Sequence, residues 1–151
     1  MDKYEIVDSN GKKEWFKNGG LHQDDGPAVV FENGTKEWYK DGYRHRDDGP
    51  AVEHSSGSLW WYNHGKQHRD DGPAITYTDG EQYWYKNGEL HRVDGPVVEK
   101  PNGHKEWRIH GELHRLDGPA IEYANGDKSW YLNGVRYTRK EYLANINPAK
   151  K

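Results

Sequence analysis

The sequence predicts an all-β protein: an elongated, twisted antiparallel β-meander of about six 23-residue repeats, two strands each, with a short C-terminal capping helix. Three observations carry this reading. Gly-Pro recurs at Gly26, Gly49, Gly72, Gly95 and Gly118, always 23 residues apart. Trp15, Trp38, Trp61, Trp84, Trp107 and Trp130 keep the same period. Two families of turn glycine do so as well, one from Gly11 to Gly126 and one from Gly19 to Gly134. A fixed period of this length marks a repeat array, in which each unit buries its apolar surface against its neighbours.

The elements follow in chain order. Residues 1–25 hold "YEIVDSNGKKEWFKNGG", a hairpin that lacks the Gly-Pro element and reads as an N-terminal cap. Repeats then occupy 26–48, 49–71, 72–94 and 95–117, with a last one at 118–137. In "PAVVFENGTKEWYKDGYRHR" two short runs flank Asn33-Gly34, and a second turn follows at Asp41-Gly42. Both dipeptides favour the type I′ turn, whose central residues need positive φ. Three reversals per unit would point neighbouring units in opposite directions. Two reversals stack like on like, provided that "YRHR", the Asp-Asp-Gly-Pro kink and "PAVV" form one bent strand. Proline in a sheet is confined to edges, strand starts and bulges, which suits such a kink. Residues 138–151 form the C-terminal cap: Thr138 and Glu141 have capping-box spacing, a helix is expected from about Arg139 to Asn145, and "NPAKK" reads as a frayed tail.

Composition bounds the function classes. The 151 residues include seven Trp and eleven Tyr but few aliphatics, so most apolar area must come from aromatics. The formal net charge of −3 and the absence of a basic stripe argue against nucleic acid as the partner. With no Cys, disulfides and thiolate metal sites are excluded. No apolar run approaches a membrane span and the N-terminus has no apolar signal region, so a cytoplasmic location is expected, the host cytoplasm if the protein is viral.

The pattern "NG-x-x-HR-x-DGPA-(V/I)…G-x-x-x-W-Y", over about residues 4 to 138, resembles MORN-type repeats (membrane occupation and recognition nexus). It is most similar to the variant found in tandem in proteins of tailed phages and giant viruses. The resemblance implies an elongated β-meander that acts as scaffold or binding surface, without catalytic residues of its own. The His-Arg-x-Asp-Gly-Pro block departs from the standard unit, so lipid binding is not carried over.

That block is the first candidate site. Each unit offers a His-Arg pair: His45 and Arg46, His68 and Arg69, His91 and Arg92. Equivalent side chains of successive units stand about 9–10 Å apart if each unit adds two strands. A zinc ion needs its ligands at about 2.0–2.2 Å, so these histidines cannot share one. The "DDG" runs are partly like calcium loops, but Asp47 and Asp70 become Val93 and Leu116. Neither metal nor cofactor is expected. Repetition itself favours a structural block, with each Arg paired to an Asp or stacked on an aromatic of the next unit, and Asp48, Asp71, Asp94 and Asp117 holding the kink through backbone N–H groups.

The second candidate is a face of the sheet. Alternation places each Trp opposite its two sequence neighbours. The Trp face, with Val29, Val52, Ile75, Val98 and Ile121, is assigned to the core. The other face carries Phe16, Tyr39, Tyr62, Tyr85 and Tyr131, interrupted by Arg108, and two central units add Trp60 and Tyr83. Tyr39, Trp60, Tyr62, Tyr83 and Tyr85 form the candidate binding patch, since Trp and Tyr dominate binding hot spots. No phosphate loop, nucleophile elbow or His-Glu-x-x-His motif occurs, and no catalytic residue is assigned. Two functions remain. One is a non-enzymatic binding or scaffold protein, phage or viral, that engages a protein and thereby inhibits a host factor. The alternative is capture of a small anionic, nucleotide-like ligand by the His-Arg pairs, as a counter-defence device.

Overall fold

A computed structural model describes residues 4–147. Its main sheet holds 14 strands among these residues, in an antiparallel meander that follows chain order and stays open. One edge is Tyr4–Ser9 and the other Val135–Tyr137. The unit starting at Pro50 shows how each copy is laid down. Val52–Glu53 pairs with Leu59–Trp60, with Val52 opposite Trp60. The chain runs on through Trp61 into Tyr62–Asn63, turns at His64-Gly65 and returns as Lys66–Gln67. After the kink, Ile75–Thr76 pairs back on Leu59–Trp60.

The bent strand is therefore present. Lys66–Gln67 and Ile75–Thr76 both pair with the single run 59–63, and two backbone bonds close the joint, His68 N–H to Trp61 C=O and Trp61 N–H to Ala74 C=O. Residues 69–73 bulge out between them. Two reversals per unit suffice, and the segment beyond each Trp forms a short side hairpin next to the main sheet. Successive side hairpins are tied by Gly42, Gly65, Gly88, Gly111 and Gly134, each donating its N–H to the preceding hairpin.

The two turn families differ, which corrects the type I′ expectation for one of them. Asn18, Asp41, His64, Asn87, His110 and Asn133 have positive φ and each precedes a positive-φ glycine, as type I′ requires. In the other family, Gly34, Gly57, Gly80, Gly103 and Gly126 have positive φ but their predecessors do not. There Gly34 N–H donates to Phe31 C=O and Phe31 N–H to Thr35 C=O, a type I turn closed by a glycine bulge. Asn10-Gly11 in the N-terminal hairpin is type I′.

This extra residue decides which face is which. A two-residue turn at Asn33-Gly34 would set Val29 opposite Trp38. The bulged turn shifts the register by one, so Val29 stands opposite Glu37 and Val52 opposite Trp60. A one-residue slip moves every side chain to the other face. Val29, Val52, Ile75, Val98 and Ile121 therefore do not share the Trp face, as the sequence reading had it. They lie with Trp60, Tyr83 and the tyrosine ladder. The Trp side instead buries Ala28, Ala51, Ala74, Val97 and Ala120, each 0 % exposed and next in sequence to a buried Val or Ile.

The helix spans Arg139–Ile146 and starts with the capping box foreseen, Thr138 and Glu141 exchanging side-chain and backbone bonds. Tyr142 is buried and bridges the last kink: its hydroxyl donates to Arg115 C=O at 2.8 Å and accepts Gly118 N–H at 3.1 Å. Residues 148–151 of the expected tail lie outside the described residues. No helix among the described residues is long and apolar enough to cross a membrane.

Candidate functional site

The His-Arg blocks are built as joints. Nδ1 of His22, His45, His68, His91 and His114 accepts the backbone N–H of Asp41, His64, Asn87, His110 and Asn133, at 3.0–3.1 Å. In every case the donor is the first residue of the next unit's type I′ turn. Nδ1 of His22 also faces Asp41 Oδ1 at 3.1 Å; in the other four rings this backbone bond fixes the tautomer, so Nε2 carries the hydrogen. Nε2 points to Asp24 at 2.9 Å, Asp47 at 2.8 Å and Asp70 at 3.2 Å. Where Val93 and Leu116 replace the aspartate, that hydrogen bond is given up and the apolar side chain projects into solvent. Burial, and then the charges of His110 and Lys86, lower the pKa of His91, which suits a ring held neutral.

Each arginine stacks on the Trp of its own unit, not of the next one as expected. The guanidinium carbon lies 4.0, 4.1, 4.1 and 3.8 Å from the ring centres of Trp38, Trp61, Trp84 and Trp107. Nε of Arg46, Arg69, Arg92 and Arg115 donates to Asp48, Asp71, Asp94 and Asp117, so these carboxylates anchor the arginine. Nη1 donates to the carbonyl of Pro50, Pro73, Pro96 or Pro119 and, in three units, to Glu53, Glu99 or Glu122. Clefts of about 530 to 760 Å³ separate successive joints, room enough for a nucleotide. The first is bordered by Asp24, Asp25, Asp47 and Asp48, a lining that repels an anion. No group of His, Asp and Glu among the described residues could hold a metal ion.

The aromatic face holds two groupings, one on the main sheet and one on the side hairpins. Trp60, Tyr77 and Tyr83 form an edge-to-face chain, with centroids 6.4 and 5.9 Å apart. His54 stacks on Trp60 at 6.1 Å. Arg44 lies 5.7 Å from the ring centres of both Tyr39 and Tyr62 and is held by Glu37 at 3.1 Å. Tyr39 donates its hydroxyl to the same carboxylate at 2.8 Å, and burial followed by Glu37 pushes its pKa up to about 12. Burial, then Tyr77 and Tyr62, raise the pKa of Tyr85. Tyr39, Tyr62, Tyr83 and Tyr85 are half-buried, and Tyr77 is 37 % exposed.

The cations on this stretch are neutralised in place. Arg44 pairs with Glu37, Lys100 with Glu81 at 3.2 Å, and Arg108 with Glu106 at 2.9 Å. Burial disfavours the Glu106 carboxylate, but bonds from His104 and Arg108 outweigh it and lower its pKa. Sequence reasoning missed Tyr77 and Arg44. Tyr77 stands two residues beyond buried Ile75, and Arg44 opposite Tyr39 in the side hairpin, so both belong to this face once the register is known. Comparison with protein-family models and with characterised proteins finds no match to this chain.

Proposed function

We propose that this chain is a non-enzymatic binding protein that holds a protein partner on the face carrying Tyr39, Trp60, Tyr62, Tyr77, Tyr83 and Tyr85. The resemblance to viral repeat proteins puts that partner among host proteins. One observation supports this reading above the others: the aromatic side chains that break the repeat pattern gather into one patch whose neighbouring charges are already paired. A repeat needs only its common residues to stack, whereas Trp60 and Tyr83 stand where other units have Glu or Ser. Aromatic side chains give much contact area at little entropic cost, so a cluster of them serves recognition.

The small-anion alternative is less well supported. His45, His68 and His91 spend Nδ1 on backbone, and Arg46, Arg69 and Arg92 spend Nε and Nη1 on carboxylates and carbonyls. Affinity capture from host lysate tests the protein reading with the wild type and a Tyr62→Ala/Tyr77→Ala double variant. A captured protein should be lost, or retained at least about tenfold more weakly, by a variant that still melts cooperatively. Capture that is indifferent to the double variant would place the binding surface elsewhere.

A further inference from the structure

We infer that the segment bound by this face is proline-rich, in the polyproline II conformation, and lies along the array across the strands. The inference rests on reading the aromatic face as a binding surface, and names what that surface fits. Tyr39, Tyr62 and Tyr85 hold the same position in three successive units. Each unit adds one side hairpin, and Gly65 and Gly88 bond each hairpin to the one before it, so these tyrosines repeat at about the two-strand spacing of 9.4–9.8 Å. Polyproline II rises about 3.1 Å per residue with three residues per turn, which gives a repeat of about 9.3 Å. The two periods differ by only a few tenths of an ångström per unit and stay in phase over all three rings. An α-helix has a pitch of about 5.4 Å, and two of its turns overshoot each unit by about 1 Å. An extended strand repeats its side-chain direction every ~6.6 Å and falls out of phase at once. Of the regular conformations, only the polyproline helix keeps a side chain over every ring.

The chemistry agrees with the spacing. Proline rings pack on aromatic surfaces, and polyproline II leaves its carbonyls without internal partners. The face has donors to offer them. The Tyr62 hydroxyl accepts from Gln67 Nε2 at 3.5 Å, which leaves its own hydrogen to give. Trp60 Nε1, by contrast, is buried without a hydrogen-bond partner and meets a ligand carbonyl only if the indole shifts on binding. Charge selects against the competitors. Arg44, Lys100 and Arg108 are each matched by a carboxylate, so a phosphate backbone or an acidic peptide would have to compete with those carboxylates for them, whereas an uncharged proline-rich segment would not. Arg108 stands where the next tyrosine would be and ends the ladder. The span from Tyr39 to Tyr85 then corresponds to about six residue steps of the ligand, with prolines preferred at every third place.

Fluorescence anisotropy on the full chain tests this with labelled peptides of equal length and proline content. One carries prolines at every third position over ten residues, and the other has them clustered at one end. An oligothymidylate serves as the polyanion probe. The phased peptide should bind at least about tenfold more tightly than the clustered one. Tyr62→Ala should abolish the difference while Tyr62→Phe preserves most of it, and among the indole N–H resonances that of Trp60 should move most on titration. Equal binding of the two peptides, or tighter binding of the oligothymidylate, overturns the inference. The two proposals fail separately. If peptides do not bind but lysate capture still depends on Tyr62 and Tyr77, only the proline-rich ligand is wrong. Capture indifferent to those residues removes both.

Discussion

At the scale of single residues, the kink glycines are chosen for the space they leave. Gly49, Gly72, Gly95 and Gly118 are absent from the positive-φ set, so a side chain is barred by its neighbours and not by the backbone. A Cβ on Gly95 would stand 2.7 Å from the Arg92 guanidinium carbon, while one on Gly26, whose unit has Gln23 in place of the arginine, meets nothing nearer than 3.9 Å. Gly95→Ala must therefore lift Arg92 off Trp84 and away from Asp94. This should cost about 1–2 kcal/mol, the worth of a cation–π contact with part-exposed ion pairs. Gly26→Ala should change stability by less than about 0.5 kcal/mol. Urea unfolding with Arg92→Ala completes the cycle: the double variant Gly95→Ala/Arg92→Ala should be little worse than Arg92→Ala alone, because both remove one arrangement. Additive costs would mean that the glycine serves something other than the arginine. The repetition of this block was legible in the sequence and pointed to structure. Which Trp each arginine covers was not, since it depends on the kink bringing the guanidinium back over its own unit.

At the scale of elements, the turns explain both what the sequence disclosed and what it concealed. Period, strand number, the bent strand and the capping helix were all readable, because glycine spacing and hydrophobic pattern constrain them directly. The face assignment was not. Asn33-Gly34 and Asn18-Gly19 are the same dipeptide in different turns. The type I′ family is held from outside, by the histidine of the preceding unit accepting the first turn residue's N–H. The bulged family is held from within: the side chains of Asn33, Asp79, Asn102 and Asn125 accept the N–H of the residue after the glycine. A tertiary bond cannot be read from a dipeptide, and the register error moved the Val row to the wrong side. The bulged geometry makes its own prediction. Pro101 occupies the first central position of such a turn, where its fixed φ suits type I. Thr78 holds the same place one unit earlier, so Thr78→Pro should stabilise by about 0.5–1 kcal/mol through the unfolded chain. Ser55→Pro should not, since Ser55 donates its N–H to Thr35 Oγ1 at 3.0 Å. Thermal melts of the two variants that moved in the same direction would contradict this turn assignment.

At the scale of the whole molecule, each unit touches only its neighbours, so stability is a chain of interfaces and the ends fray first. The two ends are protected differently. The N-terminal edge strand Tyr4–Ser9 leaves one side unpaired and carries Glu5 and Asp8, charges that discourage another strand from adding there. The C-terminal end is closed by the helix, and Tyr142 joins it to the body by filling the last kink, a role that covering the final strand alone would not have required. Removing that hydroxyl leaves Gly118 N–H and Arg115 C=O without this partner, at a cost of about 1–2 kcal/mol. In a globular core such a loss would lower stability everywhere. In a linear array it acts on the terminal interface, and it weakens with every unit that separates a reporter from the end. Hydrogen exchange of Tyr142→Phe should therefore show protection lost across 118–137 and nearly unchanged across 26–71, with the part of the aromatic face that lies between them, around Tyr77, Tyr83 and Tyr85, only slightly affected. A uniform fall in protection would mean that the units unfold as one cooperative body, and that the binding face is stabilised by the cap as much as by its own neighbours.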